Sequence, residues 1–132
     1  MIVFPKGAWY ALDSVANLGY NVIGLDWLQD PAHAVKTIGD RGIVLQGNAD
    51  PGVLYGSRAS ITETVKEMVK GYDWANRTQG WIVNLGHGKK SFILQLIYLQ
   101  NANPILLGIT PFVNPDDLRF FFEEIHRLTK TA

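Results

Sequence analysis

Trp81-Ile82-Val83-Asn84-Leu85-Gly86-His87-Gly88 is the stretch that decides the fold class. Five residues, four of them apolar, run into a glycine-flanked histidine. A run this short, without alternation of polar and apolar positions, suits a strand covered on both faces. The same signature recurs upstream. Met1-Ile2-Val3-Phe4 is apolar and ends at Pro5. Asn21–Asp26 carries Val22, Ile23 and Leu25, and Ile43-Val44-Leu45-Gln46 precedes the turn-forming cluster Gly47–Gly52. Helical spacing fills the intervals. In Gly7–Leu18, the side chains Ala8, Ala11, Leu12, Val15 and Leu18 share a face, and Gly19 follows as a stop. Asp30-Pro31 reads as N-cap and first residue of a helix with Ala34, Val35 and Ile38, closed by Gly39. Ser60 with Glu63 reads as a capping box for a helix burying Ile61, Val65, Met68 and Val69 and ending at Gly71. The last helix starts at Asn114-Pro115, with Asp116 and Asp117 suiting its dipole, and buries Leu118, Phe121, Phe122, Ile125 and Leu128.

Short apolar strands alternating with helices specify an α/β fold with a parallel sheet. Two architectures satisfy the pattern: a doubly wound open sheet, or part of a (β/α)8 barrel. In both, ligands gather at the carboxyl edge of the strands. Asp26, Asn48, Asp50, Asn84 and His87 are the polar residues there.

The 132 residues suffice for one domain with its own core, and 47% hydrophobic with 18% charged residues is an ordinary globular composition. Twelve basic residues balance twelve acidic ones, which excludes a nucleic acid or anionic membrane held by bulk charge but leaves room for a local basic pocket. The absence of cysteine excludes a disulfide framework, a thiolate nucleophile and a cysteine zinc site. Phe92–Leu99, the most apolar stretch, falls far short of the roughly 18 residues of a membrane span. The first residues lack the basic leader of a signal peptide. A soluble, cytoplasmic protein is the expectation.

Weighed singly, most motifs have structural explanations. Gly88-Lys89-Lys90-Ser91 departs from a phosphate-binding loop, since Lys90 intrudes and Val83 stands at the upstream glycine position. His33 and His126 share no ligand spacing with His87, and no metal site is expected. Asp26 suits a general base or, as readily, a loop-pinning acceptor; Asp50 suits an N-cap. Trp9, Tyr10, Trp27 and Tyr55 are expected to pack first and to line a pocket second. His87 stands out because the flanking glycines leave backbone and ring free to meet a ligand.

Three stretches carry a resemblance. IVFPKGAWYALDSVANLGYNVIGLDW (Ile2–Trp27), VLQGNADPGVLYGS (Val44–Ser57) and IVNLGHG (Ile82–Gly88) resemble, in order and spacing, uroporphyrinogen decarboxylases. NPDDLRFFFEEIHRL (Asn114–Leu128) looks like that family's last barrel helix. The resemblance implies a TIM (β/α)8 barrel, of which this chain supplies roughly the last three to four βα units, since a complete barrel takes roughly 250 residues. It implies a carboxy-lyase that converts the four acetate side chains of uroporphyrinogen to methyl groups, giving coproporphyrinogen in haem biosynthesis. No cofactor is implied, because the protonated pyrrole itself accepts the electrons left by departing carbon dioxide. The family's pyrrole-binding aspartate and its carboxylate-binding arginines near the N-terminus have no counterpart here, so no catalytic residue is expected in this chain. The motif histidine falls on His87, with an implied role in substrate binding. A homodimer is implied as well.

Lys89–Gly108 departs from the family. It is apolar, lacks a period of 2 or 3.6, and its removal leaves NLGHG joined to ITPFVNPDDLRFFFEEIHRL as an unbroken family sequence. It reads as an atypical insertion, either a translated intron or other gene-model error, or a genuine segment expected to lie over the substrate cleft beside His87; coding DNA without flanking splice signals, or transcripts that retain the segment, would exclude the first origin. Two other functions compete. A corrinoid-linked methyltransferase of the same superfamily would bind zinc through histidine and cysteine, and cysteine is absent. A non-catalytic binding module derived from the barrel would fold stably and ignore porphyrinogen.

Overall fold

The structure, a computed structural model, describes residues 1–85 and 114–130. Its strands are β1 (Ile2–Val3), β2 (Val22–Gly24), β3 (Val44–Ala49) and β4 (Trp81–Leu85). Its α-helices are α1 (Leu12–Ala16), α2 (Pro31–Ile38), α3 (Arg58–Gly71) and α4 (Pro115–Lys130), with 3-10 turns at Trp9–Ala11 and Pro51–Tyr55. All neighbouring strands pair in parallel, in the order β1-β2-β3-β4.

That order separates the two architectures left open by the sequence. A doubly wound sheet reverses its strand order at a switch point and carries helices on both faces. Here the order never reverses. Right-handed crossovers, the near-universal choice, then put every connecting helix on one face. Consistent with this, α1 packs on α2, α2 on α3 and α3 on α4. A one-sided helix layer over a sequential parallel sheet is the arrangement of a (β/α)8 barrel.

The core lies between that layer and the sheet. Ile23, Leu45, Val83, Ile61, Val65, Phe121 and Ile125 are all completely buried, each side chain contributing roughly 1.5–3 kcal/mol by leaving water. Tyr72, at the end of α3, stacks on Trp81 with ring centroids 4.3 Å apart and planes inclined by 19°. The Trp81 indole N–H donates to the Gly47 carbonyl at 2.9 Å, and the Trp74 indole N–H donates to Thr129 at 3.1 Å, tying the chain beyond α3 to the end of α4.

Several local readings differ from the outcome. The helix expected over Gly7–Leu18 is a 3-10 turn followed by the short α1; Leu18 lies beyond its end and is 66% exposed. The cap of α3 is Ser57, not Ser60: the Ser57 hydroxyl accepts from the Ser60 amide at 3.2 Å. Arg58 and Ala59 are good helix formers, so the helix extends back to the earlier serine. Gly47-Asn48-Ala49 continues β3 instead of turning. Gly47 has φ +151°, and a Cβ there would lie 2.9 Å from the Tyr72 hydroxyl and 3.0 Å from the Leu25 carbonyl. The glycine answers a close approach of chains inside the fold, not a loop. By contrast, Asp30 caps α2 and Pro31 is its first residue, as read. Among the described residues no helix is long and apolar enough to cross a membrane.

Candidate active-site edge of the sheet

The carboxyl edge of β2 is held by Asp26. Its carboxylate is 5% exposed and accepts from the Gly7 amide at 2.8 Å and the Leu28 amide at 2.9 Å. One side chain thus fastens the loop after β1 to the loop after β2. That is the loop-pinning role, and it leaves both oxygens engaged. Asn48, near the end of β3, is 6% exposed. Its amide group donates to the Asp26 carbonyl at 2.8 Å and the Gln29 carbonyl at 2.7 Å, while its oxygen accepts from the Tyr72 hydroxyl at 2.8 Å. Burial raises the Tyr72 pKa well above its ordinary value, despite an opposing contact with Trp81, so the hydroxyl stays a donor. Asp50 caps the 3-10 turn after β3 through the Gly52 amide at 2.8 Å. Asp26, Asn48 and Asp50 are therefore brought to one edge, but as the fastenings of its loops.

Asn84 behaves differently. It is 8% exposed in β4, and its side-chain oxygen has no hydrogen-bond partner. Gln29 Oε1 shares that condition, close to a cavity of about 550 Å³ walled by Trp9, Leu12, Leu28, His33 and Ala34 between the first two loops and α2. His33, which shares no ligand spacing with His87 in the sequence, is exposed and lines this cavity. Trp9, Tyr10 and Tyr55 are 62%, 76% and 63% exposed, so they are not core residues; Trp9 meets Tyr10 edge to face with ring centroids 6.1 Å apart and is a cavity wall. Trp27 is half-buried, with the Lys6 ammonium 5.6 Å from its ring centroid. Gln46, buried in β3 two residues before Asn48, is not among the sequence-based candidates, although a carboxamide at a buried strand position is itself a signal. His87, Gly88-Lys89-Lys90-Ser91 and the insertion Lys89–Gly108 lie outside the described residues.

A parallel sheet in barrel order, with its polar residues at the carboxyl edge, agrees with the comparisons to known proteins. The family model described as uroporphyrinogen decarboxylase (URO-D) matches residues 1–128. The chain belongs to the uroporphyrinogen decarboxylase family. A uroporphyrinogen decarboxylase of Schizosaccharomyces pombe is 46% identical over 127 residues, covering 96% of this chain and 29% of that protein. One from Danio rerio is 36% identical over 126 residues, covering 96% and 27%. One from Cupriavidus necator is 35% identical over 126 residues, covering 96% and 29%. This chain thus spans less than a third of the relatives it matches. Uroporphyrinogen decarboxylases are TIM barrels, and the parallel βα units described above are a fragment of one.

Proposed function

We propose that this chain is the substrate-binding C-terminal portion of a uroporphyrinogen decarboxylase, the carboxy-lyase that takes uroporphyrinogen III to coproporphyrinogen III. The observation that carries the reading is the family match along residues 1–128, on a sheet whose order is that of a barrel. In this reading His87, two residues beyond the end of β4, meets a substrate carboxylate by hydrogen bonding or charge pairing. Gly86 and Gly88 give it room. The family's pyrrole-binding aspartate has no counterpart in this sequence, so in this reading the chain binds without turning over. Uroporphyrinogen is the small-molecule partner, no metal or organic cofactor takes part, and the complete enzyme is a cytoplasmic homodimer.

Anoxic incubation of the chain with uroporphyrinogen III tests this. No coproporphyrinogen is expected, whereas equilibrium dialysis is expected to show binding that His87→Ala weakens roughly 10- to 100-fold, the worth of one hydrogen bond to a charged group. Coproporphyrinogen formed by the chain alone overturns the non-catalytic assignment. Binding indifferent to His87→Ala removes the histidine from the site.

A further inference from the structure

The cavity of about 550 Å³ beside Gln29 lies between the loops after β1 and β2 and the first turn of α2. Its walls belong to consecutive βα units of this chain. The rest of the barrel adjoins β1 and β4, the two ends of the sheet, and does not account for an open group in the loop that joins β2 to α2.

That open group is on Gln29, which is 9% exposed. Its main-chain carbonyl accepts from Asn48 at 2.7 Å, but its side-chain Oε1 is sheltered and has no hydrogen-bond partner. A sheltered acceptor without a donor is rare in a folded chain and calls for an explanation. The charges around it have one sign. Asp26 and Asp30 line the same cavity, and among its described lining residues there is no lysine or arginine. Lys6, adjacent to Gly7, holds its ammonium over the Trp27 ring, 5.6 Å from the centroid. The positive end of the α2 dipole is met by Asp30 itself, whose carboxylate accepts from the Ala32 amide at 3.0 Å. The remaining wall is apolar and includes Trp9, Leu12, Leu28 and Ala34. Trp9 and Leu28 are 62% and 83% exposed, so this wall is open to a ligand. An accessible indole beside carboxylates attracts a cation through its ring face, and the volume is ordinary for a small-molecule site.

We propose that this cavity binds a small organic cation, a primary ammonium carried on an aromatic or aliphatic body. The ammonium donates to Gln29 Oε1 in the field of Asp26 and Asp30, and the body lies against Trp9 and Leu28. Such a ligand has the charge opposite to that of a carboxylate-bearing porphyrinogen, and the inference does not depend on the uroporphyrinogen reading.

Probes of one shape and different charge test it: phenethylammonium, phenethyl alcohol and hydrocinnamate. Each is titrated into the isotopically labelled chain while the Gly7 and Leu28 amide resonances are followed. Phenethylammonium is expected to shift both amides and to bind roughly fivefold more tightly than the alcohol, an advantage that added salt erodes. Hydrocinnamate is expected not to saturate. Gln29→Leu is expected to weaken phenethylammonium roughly tenfold, the worth of one hydrogen bond to a charged group, while melting no lower than wild type. Asp30→Asn retains a good N-cap and removes the charge; it is expected to weaken the ammonium about threefold and leave the alcohol unchanged. Trp9→Ala, at an exposed wall, is expected to weaken the ammonium about threefold. Equal affinity for ammonium and alcohol, saturable binding of hydrocinnamate, or wild-type affinity in a folded Gln29→Leu chain overturns the inference. If Gln29→Leu does not fold, Asp30→Asn and Trp9→Ala decide, and unchanged affinity in both overturns it. Absence of any shift at Gly7 and Leu28 overturns it as well and leaves the functional reading standing.

Discussion

Replacing Asn48 with leucine isolates the polar knot behind the carboxyl edge. The substitution removes three hydrogen bonds of 2.7–2.8 Å in one step. The Asp26 carbonyl keeps a second donor, the Gln29 amide at 3.1 Å. The Gln29 carbonyl and the buried Tyr72 hydroxyl lose the bonds that Asn48 gave them. Two orphaned groups at roughly 1–3 kcal/mol each, less about 1 kcal/mol regained by the apolar leucine, give a net loss of about 3 kcal/mol. For a chain of this size that corresponds to a fall in Tm of about 12 °C. Urea unfolding followed by far-UV circular dichroism measures it, with an unchanged m-value showing that the unfolded state is the same. Tyr72→Phe removes the hydroxyl alone and is expected to cost about half as much. Because the two side chains share a bond, the double variant should fall short of the sum by about 1 kcal/mol. A loss below about 0.5 kcal/mol for Asn48→Leu, or strict additivity with Tyr72→Phe, would refute the account and return Asn48 to the ligand-binding candidates.

Asp26→Ala is expected to cost roughly 2–4 kcal/mol, since its carboxylate holds two backbone amides. Hydrogen exchange at the Gly7 and Leu28 amides should accelerate together, and unchanged protection at both would sink the pinning role. In α4, Glu124 accepts two hydrogen bonds from Arg127, each 2.8 Å. The Arg127 hydrogen bonds hold its pKa below the ordinary 4.5, against the opposing pull of burial. A carboxylate depressed in the folded state stabilises above its unfolded pKa and loses that contribution as pH falls through the folded one. Glu124→Gln should therefore be less stable than wild type at neutral pH, with the gap closing on acidification below about 4.5. A gap independent of pH would show that the carboxylate's charge contributes nothing.

The elements visible in the sequence were those whose signals are local. β4 was read with its observed ends, because an apolar run bounded by glycine carries its own limits. The same holds for the starts of α2 and α4, where an Asx residue precedes proline; the Asn114 side chain accepts from the Asp116 amide at 2.9 Å. Gly47 misled because a glycine that admits a neighbouring Tyr72 looks, in one dimension, like a glycine that turns. The choice between barrel and doubly wound sheet rests on which strands pair, a non-local fact absent from any single segment. At the edge, residue types were legible but not their partners. Asp26, Asn48 and Asn84 look alike in sequence as polar residues at or near strand ends. Only the fold separates the two that are engaged from the one whose oxygen is not.

The grip of Asp26 and Asn48 on the connecting loops is almost wholly a grip on main chain: the amides of Gly7 and Leu28, the carbonyls of Asp26 and Gln29. Peptide groups are the same whatever side chain they bear. The path of these loops is thereby decoupled from the identity of the residues displayed on them, such as Trp9, Tyr10 and Leu28. Their outward chemistry is free to diverge, or to be engineered, without re-routing the backbone that carries it.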